Sequence, residues 1–153
     1  MAFCPEKVNP FLSLSKWAGR NIIYSSRKGI GMRILILDDD WELLEITAKE
    51  LARASHEVDC SDNARQAVQM VAQKNYDFVL VDYKMPDNDG IWFMKNAGLP
   101  RSTKTLLITA FVNRDIIKQM FALGASGYVI KPFDGEELLR HIDFYGKTTS
   151  LPV

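Results

Sequence analysis

The sequence predicts a doubly wound α/β domain built on a five-stranded parallel sheet. Three observations point there. Strand-like and helix-like blocks alternate five times between Met32 and Tyr145. The strand blocks are short, continuous apolar runs such as Phe78, Val79, Leu80 and Val81, which is how strands buried on both faces of a parallel sheet read. The runs also end in polar side chains, at the sheet edge where ligands bind in open α/β architectures.

Taken in order, residues 34–37 form the first run, which gives way to Asp38, Asp39 and Asp40. Leu43, Leu44, Ile46, Thr47, Leu51 and Ala54 then recur at helical spacing with charges between them. Residues 58–61 predict a second strand. Asp62 or Asn63 is placed to cap a helix through Gln73, with Ala64, Ala67, Val68 and Val71 inward. The third strand ends at Asp82, and Pro86, Asp87, Asn88, Asp89 and Gly90 carry the turn chemistry after it. Residues 91–97 predict a short helix stopped by Gly98 and Pro100. Residues 106–108 form a fourth strand ending at Thr109, followed by a helix over 114–123 that Gly124 stops. Residues 128–130 are the fifth strand, ending at Lys131, and 135–144 the closing helix. Right-handed crossovers then place helices on both faces of the sheet.

Bulk composition narrows the function class. A chain of 153 residues suits one domain with a real core, and 47% hydrophobic with 25% charged residues is ordinary for a globular protein. Zero formal net charge argues against non-specific nucleic-acid binding, so no direct nucleic-acid partner is expected. No apolar run approaches the ~18 residues of a membrane span. Cys4 and Cys60 make neither a disulfide framework nor a zinc set, which suits a reducing cytosol and a cytoplasmic protein. Residues 1–31 stand apart, with five basic residues against Glu6 alone and interruptions at Pro5, Pro10, Gly19, Gly29 and Gly31. They read as a basic N-terminal extension, disordered or preceding the true start, because Met32 sits directly before the first strand. The expected domain is 32–146, with 147–153 a C-terminal tail.

Four of the five strands end in groups that suit one chemistry: Asp38 and Asp39, Asp82, Thr109, and Lys131. Parallel strands share one carboxyl edge, so these groups can converge. A pair of carboxylates ~4 Å apart repels by about 4 kcal/mol at an effective dielectric near 20. A divalent cation offsets that cost, and an all-oxygen ligand set favours Mg2+ over zinc. A hydroxyl and an ammonium alongside suit phosphoryl oxygens. Each group alone has a plainer explanation. An acidic run complements a helix dipole, Thr109 suits a turn, and Lys131 suits solvent. Their joint placement at successive strand ends is what coincidence does not supply.

The stretches I-L-I-L-D-D-D, V-L-V-D-Y-K-M-P-D-N-D-G, L-L-I-T-A and G-A-S-G-Y-V-I-K-P-F resemble the receiver domain of two-component response regulators, over about Met32 to Tyr145. The resemblance implies a (βα)5 flavodoxin-like receiver fold. It implies a single-domain, chemotaxis-regulator-like phosphoacceptor of a phosphorelay, which catalyses only its own aspartyl phosphorylation and dephosphorylation. Carried over by position, Asp82 is the phosphoacceptor. Asp38 and Asp39 are the Mg2+ acids, with the backbone carbonyl of Lys84 a further ligand. Thr109 and Lys131 are the phosphoryl-sensing pair and Tyr128 the switch aromatic, and the Lys131–Pro132 bond is cis. Lys84 and Phe111 occupy the two positions that tune the lifetime of the acyl phosphate. The implied partners are a histidine kinase or histidine phosphotransfer protein and a downstream protein that reads the fifth-strand face. Asp38-x-Asp40 also resembles the nucleophile motif of haloacid-dehalogenase-like phosphatases. Glu42 stands where that family has Thr or Val, however, and Asp134, Glu136 and Glu137 fall in the closing helix rather than on another strand.

Overall fold

The computed structural model describes residues 31–147, together with the backbone of two short strands at 12–15 and 23–26. The elements are β1 (Leu12–Ser15), β2 (Ile23–Ser26), β3 (Arg33–Leu37), α1 (Trp41–Arg53), β4 (Glu57–Ser61), α2 (Ala64–Gln73), β5 (Phe78–Asp82), α3 (Gly90–Asn96), β6 (Lys104–Thr109), α4 (Arg114–Ala122), β7 (Gly127–Ile130) and α5 (Gly135–Lys147). β3 to β7 are the five parallel strands that the sequence predicts, in the order β4-β3-β5-β6-β7. The order reverses at β3, so the crevice between the carboxyl ends of β3 and β5 is the topological switch point, where open α/β sheets bind ligands.

Both faces of the sheet are covered. Ile34, Ile36, Phe78, Leu80, Leu106 and Ile108 pack against Leu44 and Leu51 of α1 and Leu138 and Ile142 of α5. The alternate residues Leu35, Leu37, Val79 and Val81 pack against Ala67 of α2 and Phe93 of α3, with Trp92 beside them. Leu107 meets Met120 of α4. This double burial is why the strand runs are apolar at every position rather than at alternate ones.

Each strand-to-helix loop ends in a side chain that caps the next helix. Asp40, Asn63, Asp89 and Asn113 accept backbone N–H groups of the first turns of α1, α2, α3 and α4, and Asp134 accepts from the N–H of Glu137 in α5. Asn63, rather than Asp62, is therefore the cap of α2. Gly124, with φ +108°, ends α4 in a conformation that a side chain would strain.

The differences from the sequence reading lie at element ends. β6 begins at Lys104 because its first two residues pair with Phe78 and Val79. α5 continues to Lys147, one residue beyond the expected domain end. The leader also contributes β1 and β2, which the sequence reading did not place. They form an antiparallel pair, and β2 adds antiparallel to the free edge of β4 through Ile23 with Asp59 and Tyr24 with Val58. Four-residue strands with no helical crossover depend on that edge for their existence, so local pattern alone does not specify them. The rest of the expected extension, and the tail beyond 147, lie outside the described residues.

Candidate functional site

The site is built on the two central strands. β5 delivers Asp82 as its last residue, and β3 ends one residue before Asp38. The loop after β5 folds back tightly. Gly90 N–H donates to the Tyr83 carbonyl at 2.9 Å, and a Cβ on Gly90 would stand 2.8 Å from the Asp82 carbonyl oxygen. Glycine is thus required where α3 starts against the strand end that holds the carboxylate. Beside it, the Asp38 backbone N–H donates to the Ser61 carbonyl at 3.1 Å, and its Oδ1 accepts from the Asp40 N–H at 2.9 Å.

Asp38, Asp39 and Asp82 converge, each presenting a carboxylate oxygen within 4.8 Å of the others. Asp38 and Asp82 are buried and Asp39 is exposed. Lys131, from the end of β7, reaches across the sheet edge: its Nζ lies 2.6 Å from Asp38 Oδ2 and 3.4 Å from Asp82 Oδ2. Burial raises the Asp82 pKa to about 6, and the neighbouring Asp38 charge adds to the rise. Lys131 and the Lys84 backbone N–H only partly offset it. Burial and Asp38 likewise raise Asp39. Burial alone would lower Lys131, but its two carboxylate partners outweigh that and raise it. One ammonium does not balance this much negative charge. Three convergent carboxylates with an all-oxygen donor set fit a hard divalent cation.

Thr109 ends β6, buried, and its backbone carbonyl accepts from the Lys131 N–H at 2.9 Å. Its hydroxyl is occupied locally, accepting from the Phe111 N–H and donating to the Phe111 carbonyl, both at 3.0 Å. Phe111 itself is exposed, and with Tyr83, Lys84, Met85 and Ile116 it lines a cleft of about 320 Å³ beside the acidic site. Tyr128 sits at an outward position of β7. It lines a groove of about 350 Å³ with Phe121, Ile130, Glu137, His141 and Tyr145. The Lys131–Pro132 bond is cis. Sequence reasoning missed the bond from Trp41 Nε1 to Asp62 Oδ2, at 2.9 Å, which joins the acidic loop to its neighbour. No spacing rule pairs an aromatic with an acid 21 residues later.

Comparison with known families matches residues 34–143 to the response regulator receiver domain. The chain belongs to that family. Receiver domains are the phosphoacceptor signalling modules of two-component systems, and this chain is one. It is 36% identical over 107 residues to the regulatory protein AtoC of Escherichia coli, covering 69% of this chain and 23% of that protein. It is 32% identical over 112 residues to the transcriptional regulatory protein CrdR of Helicobacter pylori, covering 72% and 53%. The chain thus spans about a quarter and about half of the length of these two relatives. Among solved structures, a CheY-like receiver domain protein from Methanospirillum hungatei superposes with a TM-score of 0.74 at 26% identity, over 77% of this chain and 95% of that one. The chemotaxis protein CheY4 of Vibrio cholerae gives 0.70 at 25% identity, over 74% and 98%. Among the described residues no helix is long and apolar enough to cross a membrane.

The electrostatics give a test. An acid whose folded pKa is raised keeps its proton in the folded state to about pH 6, while the unfolded chain releases it near pH 4. Asp82 therefore destabilises the metal-free fold increasingly as pH rises from about 4 to about 6. Asp82→Asn should raise stability at pH 7 without metal by on the order of 2–3 kcal/mol, and the gain should vanish near pH 4. Chelator-treated melts of both proteins across that range check it; a gain that does not change with pH would refute the electrostatic origin.

Proposed function

We propose that Asp82 is the phosphoacceptor of a two-component phosphorelay, taking its phosphoryl group from a phosphohistidine on a histidine kinase or histidine phosphotransfer protein. The observation that carries this reading is the convergence of Asp82 with Asp38, Asp39 and Lys131 at the switch point of the sheet. In the transfer an Asp82 carboxylate oxygen bonds to phosphorus as the phosphorus–nitrogen bond to the donor imidazole breaks. Asp38, Asp39, Asp82 and the backbone carbonyl of Lys84 would hold Mg2+. When bound, that ion supplies charge screening at the phosphoryl oxygens. Lys131, already between Asp38 and Asp82, is placed to follow the charge from the carboxylate to the new phosphoryl group.

In this reading Thr109 must exchange its turn bonds with Phe111 for a phosphoryl oxygen, which couples the chemistry to the loop between β6 and α4. Tyr128 then turns inward from its exposed position. The groove between α4, β7 and α5 changes shape and engages a downstream protein. The domain acts in the cytoplasm by protein contact, without binding nucleic acid itself, and catalyses only its own phosphorylation and dephosphorylation. We assign residues 32–147 to the receiver domain, 1–31 to an accessory extension and 148–153 to a tail.

Acetyl phosphate with Mg2+ should label the wild type, and Asp82→Asn or excess chelator should abolish labelling. Equal labelling of Asp82→Asn would refute the assignment. A chain beginning at Met32 should label alike; a melting temperature lower by more than about 5 °C would instead make the hairpin part of the domain. Phe111, like Lys84, offers no acid or amide to orient an in-line water. The acyl phosphate should therefore be long-lived, and Phe111→Glu or Lys84→Asn should speed loss of label. Unchanged decay in both variants would place the control of lifetime elsewhere.

A further inference from the structure

Trp41 opens α1 directly after the acidic run. Its indole Nε1 donates to Asp62 Oδ2 at 2.9 Å, across to the loop between β4 and α2. Both ends of this bond are anchored. Trp41 packs against the core on the α1 and α5 face. Asp62 lies between Ser61, whose Oγ donates to the Asn63 carbonyl at 2.9 Å, and Asn63, whose Oδ1 accepts from the Gln66 N–H at 2.8 Å to cap α2. On the other side of the acidic run, Asp38 is fixed by its N–H bond to Ser61 and by the Asp40 N–H on its Oδ1. Asp39 is thus an exposed carboxylate in a loop pinned before it and after it to one neighbouring loop. An indole also donates without carrying charge, so it pins the loop without placing a cation beside the site, as lysine or arginine would.

We propose that Trp41 is a positioning residue for the Mg2+ centre: through Asp62 it holds the loop that carries Asp39 in register with Asp38 and Asp82. The proposal rests on the reading of those three carboxylates as the cation site. Partners behind a metal ligand commonly govern affinity through the geometry they impose.

The experiment is Mg2+ titration of the unphosphorylated full chain by calorimetry, with acetyl phosphate labelling measured against Mg2+ concentration in parallel. Trp41→Phe keeps an aromatic ring and removes the donor. It should weaken Mg2+ by roughly tenfold, with labelling at saturating Mg2+ unchanged within about twofold. Asp62→Ala should do the same. Asp62→Asn keeps an acceptor oxygen and should behave as wild type. A Trp41→Phe affinity within about twofold of wild type overturns the brace. So does an equal loss in Asp62→Asn and Asp62→Ala, which assigns the effect to charge. If the wild type binds no Mg2+, the cation reading itself fails and the brace with it, an outcome distinct from variants that merely match a binding wild type.

Discussion

Like charges packed at the end of a hydrophobic sheet are the constraint from which the rest of this structure follows. β3 and β5 bring Asp38 and Asp82 together because they are neighbours in register, with Ile36 beside Leu80 and Leu37 beside Val81. The same burial that makes these strands a core deprives the carboxylates of water, so their repulsion is screened less than in solvent. Lys131 relieves part of it from 93 residues away in sequence, at the cost of its own desolvation. The site is a stored electrostatic imbalance held by a stable scaffold. A cation or a transferred phosphoryl group acts on that imbalance directly.

The scaffold holds the imbalance through backbone bonds and caps more than through bulk. Asp38 belongs to three interactions at once: the Ser61 carbonyl, the Asp40 N–H and the Lys131 ammonium. Asp40 in turn caps α1, and Asn63 caps α2 on the loop that receives Trp41. The two loops that frame the acidic residues are therefore parts of helix starts, and moving either would uncap a helix. The side of the site formed by β6 is built differently. The Thr109 hydroxyl bonds within its own turn, and Phe111 and Val112 beyond it are largely exposed. Rigidity on the α1 and α2 side and looser packing on the α4 side suit a site whose proposed signal leaves through β6, β7 and α5.

A second charge cluster, around the buried Asp59, is more nearly balanced. On β4, Asp59 accepts from the Tyr76 hydroxyl and pairs with Lys74, which also pairs with Glu57. Burial and the Asp59 bond hold the Tyr76 hydroxyl protonated. These groups pair among themselves and tie the end of α2 to the sheet. The Asp38 cluster differs in having three acids to one lysine.

The sequence by itself determined the five parallel strands, the five helices and the edge on which the acidic groups gather. Apolar runs buried on both faces, a cap before the second helix and glycines at two helix ends are local signals, and local signals are legible one residue after another. It also singled out Asp38, Asp39, Asp82 and Lys131, because strand ends in a parallel sheet must share an edge. The tertiary structure alone decided how Lys131 divides itself between two carboxylates. It alone paired Trp41 with Asp62 and gave residues 12–15 and 23–26 an edge to join. Those features depend on distances of a few ångströms between segments far apart in the chain. No residue type or spacing encodes such a distance until the sheet has closed and set it.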